Sequence, residues 1–148
     1  MENVTIRRAR ENEFPLAIKL NKDVFTAEQG IPEELLVDFL AYKPAIWFAE
    51  LNGEICATVA AWVEDGKMHC GRFVVLPNCR GLGVGGKLVK QMFTELFESG
   101  AERLYMEVRP ITYKIVSKLG GKVAGESFEF YGDAAIPMEV AREDFFGV

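Results

Sequence analysis

Four glycines in six positions, with a cation at either end, are the sharpest chemical feature of this chain: Pro77-Asn78-Cys79-Arg80-Gly81-Leu82-Gly83-Val84-Gly85-Gly86-Lys87. Glycine turns tightly and lets a ligand approach the backbone amides with no Cβ in the way. An apolar stripe starts at Val84, so the loop runs into the start of a helix. First-turn helix amides lack intrahelical partners and sit at the positive end of the helix dipole. Together these make an anion site suited to phosphate or pyrophosphate, with Arg80 and Lys87 placed to add charge. Close packing of a strand on a helix would also use such glycines, and that role stays open. Two well-known spellings fit the letters but not the context. Gly81-x-x-x-x-Gly86-Lys87 is followed by Leu88 where a Mg²⁺-holding Ser or Thr is required. Gly81-x-Gly83-x-x-Gly86 normally follows the first strand of a parallel, doubly wound sheet, whereas four predicted strands precede it here.

Other reactive side chains are few. His69, the one histidine, lies on the strand leading to the loop, with Glu64 and Asp65 nearby. An imidazole there suits a general base, although a lone histidine on a strand is more often packed or exposed than catalytic. Cys79 adjoins Arg80, yet its sequence neighbours include no base to activate it as a nucleophile. Cys56, Cys70 and Cys79 have no metal-ligand spacing, so no metal is expected and they read as unpaired thiols of a reducing, cytoplasmic compartment.

The elements that must position these residues follow from periodicity. Val4 to Ala9 alternates as a first strand. Asn12 caps a helix running to about Ala27, and Gly30 stops it. Ile31-Pro32 starts a second helix, with Leu35, Leu36, Phe39 and Leu40 inward, ending near Tyr42 before Pro44. Asn52-Gly53 and Asp65-Gly66 are hairpin signals joining Ala45–Leu51, Ile55–Val63 and Met68–Leu76. After the glycine loop, Val84, Leu88, Val89, Met92, Phe93, Leu96 and Phe97 make one helical stripe to about Ser99. Arg103–Val108 is a strand, and Pro110 opens a short helix with Ile111, Ile115, Val116 and Leu119 inward. Val123–Tyr131 and Ala135–Ala141 close the chain as two strands around Gly132-Asp133. The order β-α-α-β-β-β-α-β-α-β-β predicts one α+β domain over 1–148, an α/β/α sandwich with a mixed, mostly antiparallel seven-stranded sheet and helices on both faces.

Composition bounds the partners. The chain has 148 residues, 17 Lys+Arg against 22 Asp+Glu, and a net charge of −5. That length suits one domain. An acidic balance argues against nucleic acid, which needs a clustered basic face. No apolar run approaches the roughly 20 residues of a membrane span. Met1-Glu2-Asn3-Val4 has no basic segment followed by an apolar one, so no export signal is expected.

Val75-x-Pro77-x-x-Arg80-Gly81-x-Gly83-Val84-Gly85, after a strand and before an amphipathic helix, resembles the acyl-CoA motif of the GNAT superfamily of N-acyltransferases. The element order is similar to the family's over nearly the whole chain. Val24-Phe25-Thr26-Ala27-Glu28-Gln29-Gly30-Ile31-Pro32 also resembles the segment after the first helix in a subgroup of small bacterial members. The resemblance implies acetyl-CoA as co-substrate, with its pyrophosphate on Arg80, Gly81, Leu82, Gly83, Val84, Gly85, Gly86 and Lys87. It implies that the pantetheine arm lies in a wedge beside the backbone of Phe73, Val74 and Val75. An amide near Val75 would polarise the acyl carbonyl.

The resemblance weakens at the general acid. Where the family carries a Tyr four residues before a Gly-Phe pair, this chain has Val116 before Gly120-Gly121, and the family's frequent Asn is Arg109. The nearest phenol is Tyr113, one turn earlier, with Ser117 as a second candidate. For the base the choices are His69 and Glu28. Glu28 would sit on the acceptor side built by the first two helices, across the wedge from the glycine loop. Among Trp47, Trp62, Phe128, Phe130 and Tyr131, one or two would shape an acceptor pocket. The implied activity is direct acetyl transfer to a primary amine of a small molecule or peptide. The alternative is a catalytically weak acyl-CoA-binding sensor or scaffold. An acyl-homoserine-lactone synthase, a third relative, would need a basic docking patch for its carrier protein. Small members often pair, which makes a homodimer an implication of the resemblance.

Overall fold

A computed structural model describes residues 3–148. Alternating apolar residues and tight turns build the first half of the sheet. β1 (Val4–Arg8) pairs with β2 (Ala45–Leu51), β2 with β3 (Glu54–Glu64), and β3 with β4 (Lys67–Val75), all antiparallel. Both predicted hairpin turns form, with φ of 54° and 87° at Asn52-Gly53 and 53° and 76° at Asp65-Gly66. Such positive φ pairs match the right-handed twist of the flanking strands. β5 (Arg103–Val108) then lies parallel to β4.

The end of the chain departs from expectation. The stretch 123–131 is two short strands, β6 (Lys122–Val123) and β7 (Phe128–Phe130), so the sheet has eight strands instead of seven. Both pair with β8 (Asp133–Ala141), and the closing turn is Tyr131-Gly132 in place of Gly132-Asp133. Pro137 explains the break: it stands in β8 without an N–H to continue a ladder, and Ala124 and Gly125 pass over it. The sheet order is β1-β2-β3-β4-β5-β8-β6.

Helices cover both faces. On one lie α1 (Phe14–Asn21), a π turn over Lys22–Thr26, α2 (Ala27–Gln29), and α3 (Glu33–Val37) continuing as a 3₁₀ turn to Tyr42. Ala17, Leu20 and Phe39 pack there on Ile46, Phe48 and Ala60. The other face carries α4 (Val84–Glu98), α5 (Pro110–Lys118) and α6 (Arg142–Phe146), the last not expected from the sequence. The predicted stripe of α4 is buried at all seven positions. The Phe145 ring of α6 packs edge-on to Phe93 and tilted against Phe97, at 5.8 and 5.3 Å. Truncating one of these buried rings to Ala would cost roughly 3–5 kcal/mol. On α5 the expected inward residues Ile115, Val116 and Leu119 pack on the core, but Ile111 is 74% exposed and Thr112 is buried in its place. No helix among the described residues is long and apolar enough to cross a membrane.

Two irregularities in β4 open the sheet. Gly71 faces Ala60 and Val74 faces Thr58, so Arg72 and Phe73 together oppose Val59 alone, with Arg72 at φ 57°. Such a bulge bends the strand and increases its twist. The parallel ladder to β5 holds only Met68↔Leu104 and His69↔Tyr105. Beyond His69 the strands part.

Candidate active site

The fork between β4 and β5 opens into a cleft of about 840 Å³ that passes through the sheet. His69, Tyr105 and Glu107 line it from one face, and Met92 of α4 with Thr112 and Val116 of α5 from the other. Trp62, Phe128 and Phe130, three of the strand aromatics singled out above, also line it, whereas Trp47 is buried in the core.

The glycine loop leaves the end of β4. Pro77–Cys79 makes a 3₁₀ turn, Arg80 is extended, and Gly81 and Gly83 take φ of 83° and 76°, conformations that L side chains resist. Gly83 is the N-cap of α4, and Lys87 N–H donates to its carbonyl at 3.3 Å. The amides of Val84, Gly85 and Gly86 therefore precede the first intrahelical bond. The remaining glycines divide by role. A Cβ on Gly85 would stand 2.8 Å from Phe73 Cζ and 3.2 Å from Val75 Cγ2, so this residue serves strand–helix packing. A Cβ on Gly86 would meet nothing within 4 Å, leaving room for a ligand. Leu82 and Lys87 are exposed beside it. These residues fit a pyrophosphate, with α4's dipole behind it. Of the three expected arm-binding residues, Phe73 lines the cleft and Val74 is buried. The Val75 carbonyl already accepts a hydrogen bond from Arg80 Nε at 2.9 Å.

The structure revises two of the three candidate catalytic residues. Tyr113 is 38% exposed and lies off the cleft, because α5 turns its neighbours Thr112 and Val116 inward. Ser117 does not line the cleft either. Glu28 is not a free carboxylate facing the cleft: it accepts two hydrogen bonds from Arg80, at 3.2 Å from Nη1 and 3.0 Å from Nη2. The glycine loop is thus within reach of the segment expected across the wedge from it. Next to it, Gln29 Oε1 accepts from Arg109 Nη2 at 3.0 Å, and Arg109 Nη1 donates to the Phe130 and Asp133 carbonyls. Two successive residues of α2 therefore tie the loop after β4 to the end of β5.

His69 is the candidate that the fold brings to the fork. It stands in a row of rings, 6.3 Å from Trp62 at 15° and 6.1 Å from Tyr105, at the last pair before the strands part. Tyr105 was missed because its place beside His69 depends on a parallel register that pairs residues 36 positions apart. On the bulge, Arg72 donates to Asp38 Oδ1 at 2.6 Å and to the Leu35 carbonyl at 2.9 Å, holding α3 beside the fork. Cys79 is buried with its thiol against Cys56, whose own thiol is pushed up to about 12, first by burial and then by that contact. Both behave as core residues.

Known proteins share this fold. Residues 8–113 match the family model described as acetyltransferase (GNAT) family. The chain belongs to the GNAT family. Members use an acyl-CoA co-substrate, and the loop and cleft above are where this GNAT domain offers a fit for one. The chain is 28% identical over 128 residues to the uncharacterized N-acetyltransferase YjcF of Bacillus subtilis (strain 168), covering 86% of this chain and 89% of that one. An acyl-CoA N-acyltransferase structure from Pseudomonas aeruginosa superposes with a TM-score of 0.78 at 18% identity, over 95% of this chain and 100% of that one. The ribosomal-protein-S18-alanine N-acetyltransferase of Escherichia coli superposes with a TM-score of 0.74 at 19% identity, over 94% of each chain. At these identities the two structures speak for the fold.

Proposed function

We propose that this GNAT domain transfers an acetyl group from acetyl-CoA directly to a primary amine inside the cleft. The observation that carries the reading is that β4, one arm of the fork, runs on directly into the glycine loop, so one ligand can have its phosphates on the loop and its arm in the cleft. Arg80 to Lys87 would hold the pyrophosphate, and Phe73 and Val116 would flank the arm. Bound there, acetyl-CoA supplies a thioester-activated acetyl group. His69 takes the proton from the incoming amine, since it stands at the fork on the face opposite α4 and α5. Trp62 and Tyr105 fix its ring from both sides. The amine enters between α3 and β7, where Leu35 and Phe128 line the opening.

Calorimetric titration with CoA tests the site, and thiol release from acetyl-CoA tests the reaction. The acceptors to try are polyamines, aminoglycosides, amino acids and peptides with a free α-amine, the last class because one structural neighbour is named for an alanine of ribosomal protein S18. Release with one class supports transfer. CoA binding with no release on any would favour an acyl-CoA-binding module, the reading to which the apolar Val116 points. No CoA binding would refute both.

A further inference from the structure

Three polar side chains are buried among the described residues: Asn21, Thr58 and Thr112. Asn21 Nδ2 donates to the Ala17 carbonyl at 2.7 Å, with its Oδ1 unpaired against the core, and Thr58 Oγ1 donates to the Trp47 carbonyl at 3.0 Å. Thr112 differs. It is 9% exposed, lines the cleft, and makes no side-chain hydrogen bond to another described residue. Its hydroxyl has no partner among the described residues and is free to donate to a ligand in the cleft.

Thr112 is the third residue of α5, a nine-residue helix whose first residue, Pro110, has no N–H and whose N-cap is Arg109. The amides of Ile111 and Thr112 precede the helix's first internal bond, which Tyr113 N–H makes to Arg109 at 2.9 Å. This end of the helix carries partial positive charge, and the Arg109 guanidinium adds to it. One turn on, Val116 lines the same cleft and has nothing to donate. Among the cleft-lining residues, the hydroxyls are those of Thr112 and Tyr105, and Tyr105 stands at the fork beside His69.

We propose that Thr112 is a catalytic residue, donating a hydrogen bond to the sulfur that leaves when the acyl group is transferred. This rests on the acetyl-transfer reading above. In that reaction a bond forms between the amine nitrogen and the acetyl carbon, and the carbon–sulfur bond breaks with its electron pair going to sulfur. One amine proton passes to His69 and on to water, and the thiolate takes its proton from water. Thr112 loses no proton. Its hydroxyl, with the start of α5 behind it, lowers the energy of the sulfur anion, which dispenses with a phenolic acid.

The test reads the thiol of CoA bound to the whole protein, by thiolate absorbance across pH, as a difference against the same protein with desulfo-CoA. Besides the helix end, the charged and titratable groups lining the cleft are Asp38 after α3, Lys67, His69, Cys70 and Arg72 of β4, Tyr105 and Glu107 of β5, Arg109 at the N-cap of α5, and Glu139 of β8; the residues that α4 contributes are apolar. All are unchanged in Thr112→Val, which keeps the shape and removes the hydroxyl. Losing one hydrogen bond to a charged atom raises the bound thiol's pKa by about 1. Thr112→Ser restores it, and turnover follows the same order, falling about tenfold in the valine variant with CoA affinity unchanged. Equal thiol titration in wild type and Thr112→Val would overturn the proposal. If the valine variant does not fold, Thr112→Ala carries the same comparison. Absence of CoA binding to the wild type would instead refute the reading on which the proposal rests.

Discussion

Glu28→Gln should tighten CoA binding, although Glu28 lies outside the cleft. Two parallel hydrogen bonds, 3.0 and 3.2 Å long, hold its carboxylate on the Arg80 guanidinium. The side chains of Arg80 and Glu28 are 44% and 39% exposed, so the pair itself is solvent-screened and contributes only about 0.2–1 kcal/mol to the fold. A pyrophosphate on the glycine loop must share that guanidinium with the carboxylate. Two like charges ~6 Å apart near a surface repel by roughly 0.7 kcal/mol in water and by more where solvent is partly excluded. Glutamine keeps the size and removes the charge. Arg80 stays anchored, because its Nε still donates to the Val75 carbonyl. The expected result is a CoA dissociation constant lowered about 3- to 5-fold at low ionic strength. The gain should vanish near 1 M salt, where the screening length is about 3 Å. Calorimetric titrations of both proteins at low and high salt make the measurement. Equal affinities at low salt would show that the carboxylate does not compete with the ligand. Weaker binding by the variant would show that Glu28 holds Arg80 ready for it.

Gly83→Val should abolish CoA binding in a protein that still folds. The added Cβ meets no neighbour within 4 Å but imposes a branched side chain at φ 76°, beside the free amides; unchanged affinity in the folded variant would remove the loop from the site. Tyr113→Phe should keep turnover within about tenfold, ~1.4 kcal/mol of barrier, because the phenol lies off the cleft; a 100-fold loss at unchanged CoA affinity would put it back in the mechanism. Glu13 is held down at about 2, first by the Arg7 side chain and then by the Arg10 N–H. A carboxyl lower in the fold than in the open chain stabilises above its ordinary value of 4.5 and loses that effect as pH falls toward 2. Thermal midpoints of wild type and Glu13→Gln should therefore differ most near neutral pH and converge below pH ~4; a constant difference down to pH ~2.5 would contradict the assignment.

Much of the scaffold was legible from local signals. Asn52-Gly53 and Asp65-Gly66 fix their own turns, and the seven apolar positions of α4 fix which face it buries, because both depend on residues within one or two turns of chain. The last strand pair was not. Pro137 breaks a ladder partner that is adjacent only in the folded sheet, and α6 depends on a hollow between Phe93 and Phe97 that no local pattern announces.

The site divides along the same physical line. The expectation of an anion at Arg80 to Lys87 comes from the sequence alone, because free amides, glycine and a helix start are all consecutive residues. The sequence could not fix which residue faces that ligand's reactive end. The packing of α5 on β8 and α4 brings Thr112 with Val116 to the cleft and leaves Tyr113 off it. The parallel register of β4 and β5 sets Tyr105 beside His69, and the bulge at Arg72 opens the fork there. The approach of α2 to the glycine loop converts Glu28 from a candidate base into a partner of Arg80. Each of these depends on the relative placement of elements far apart in the chain, and so only the tertiary structure decided it.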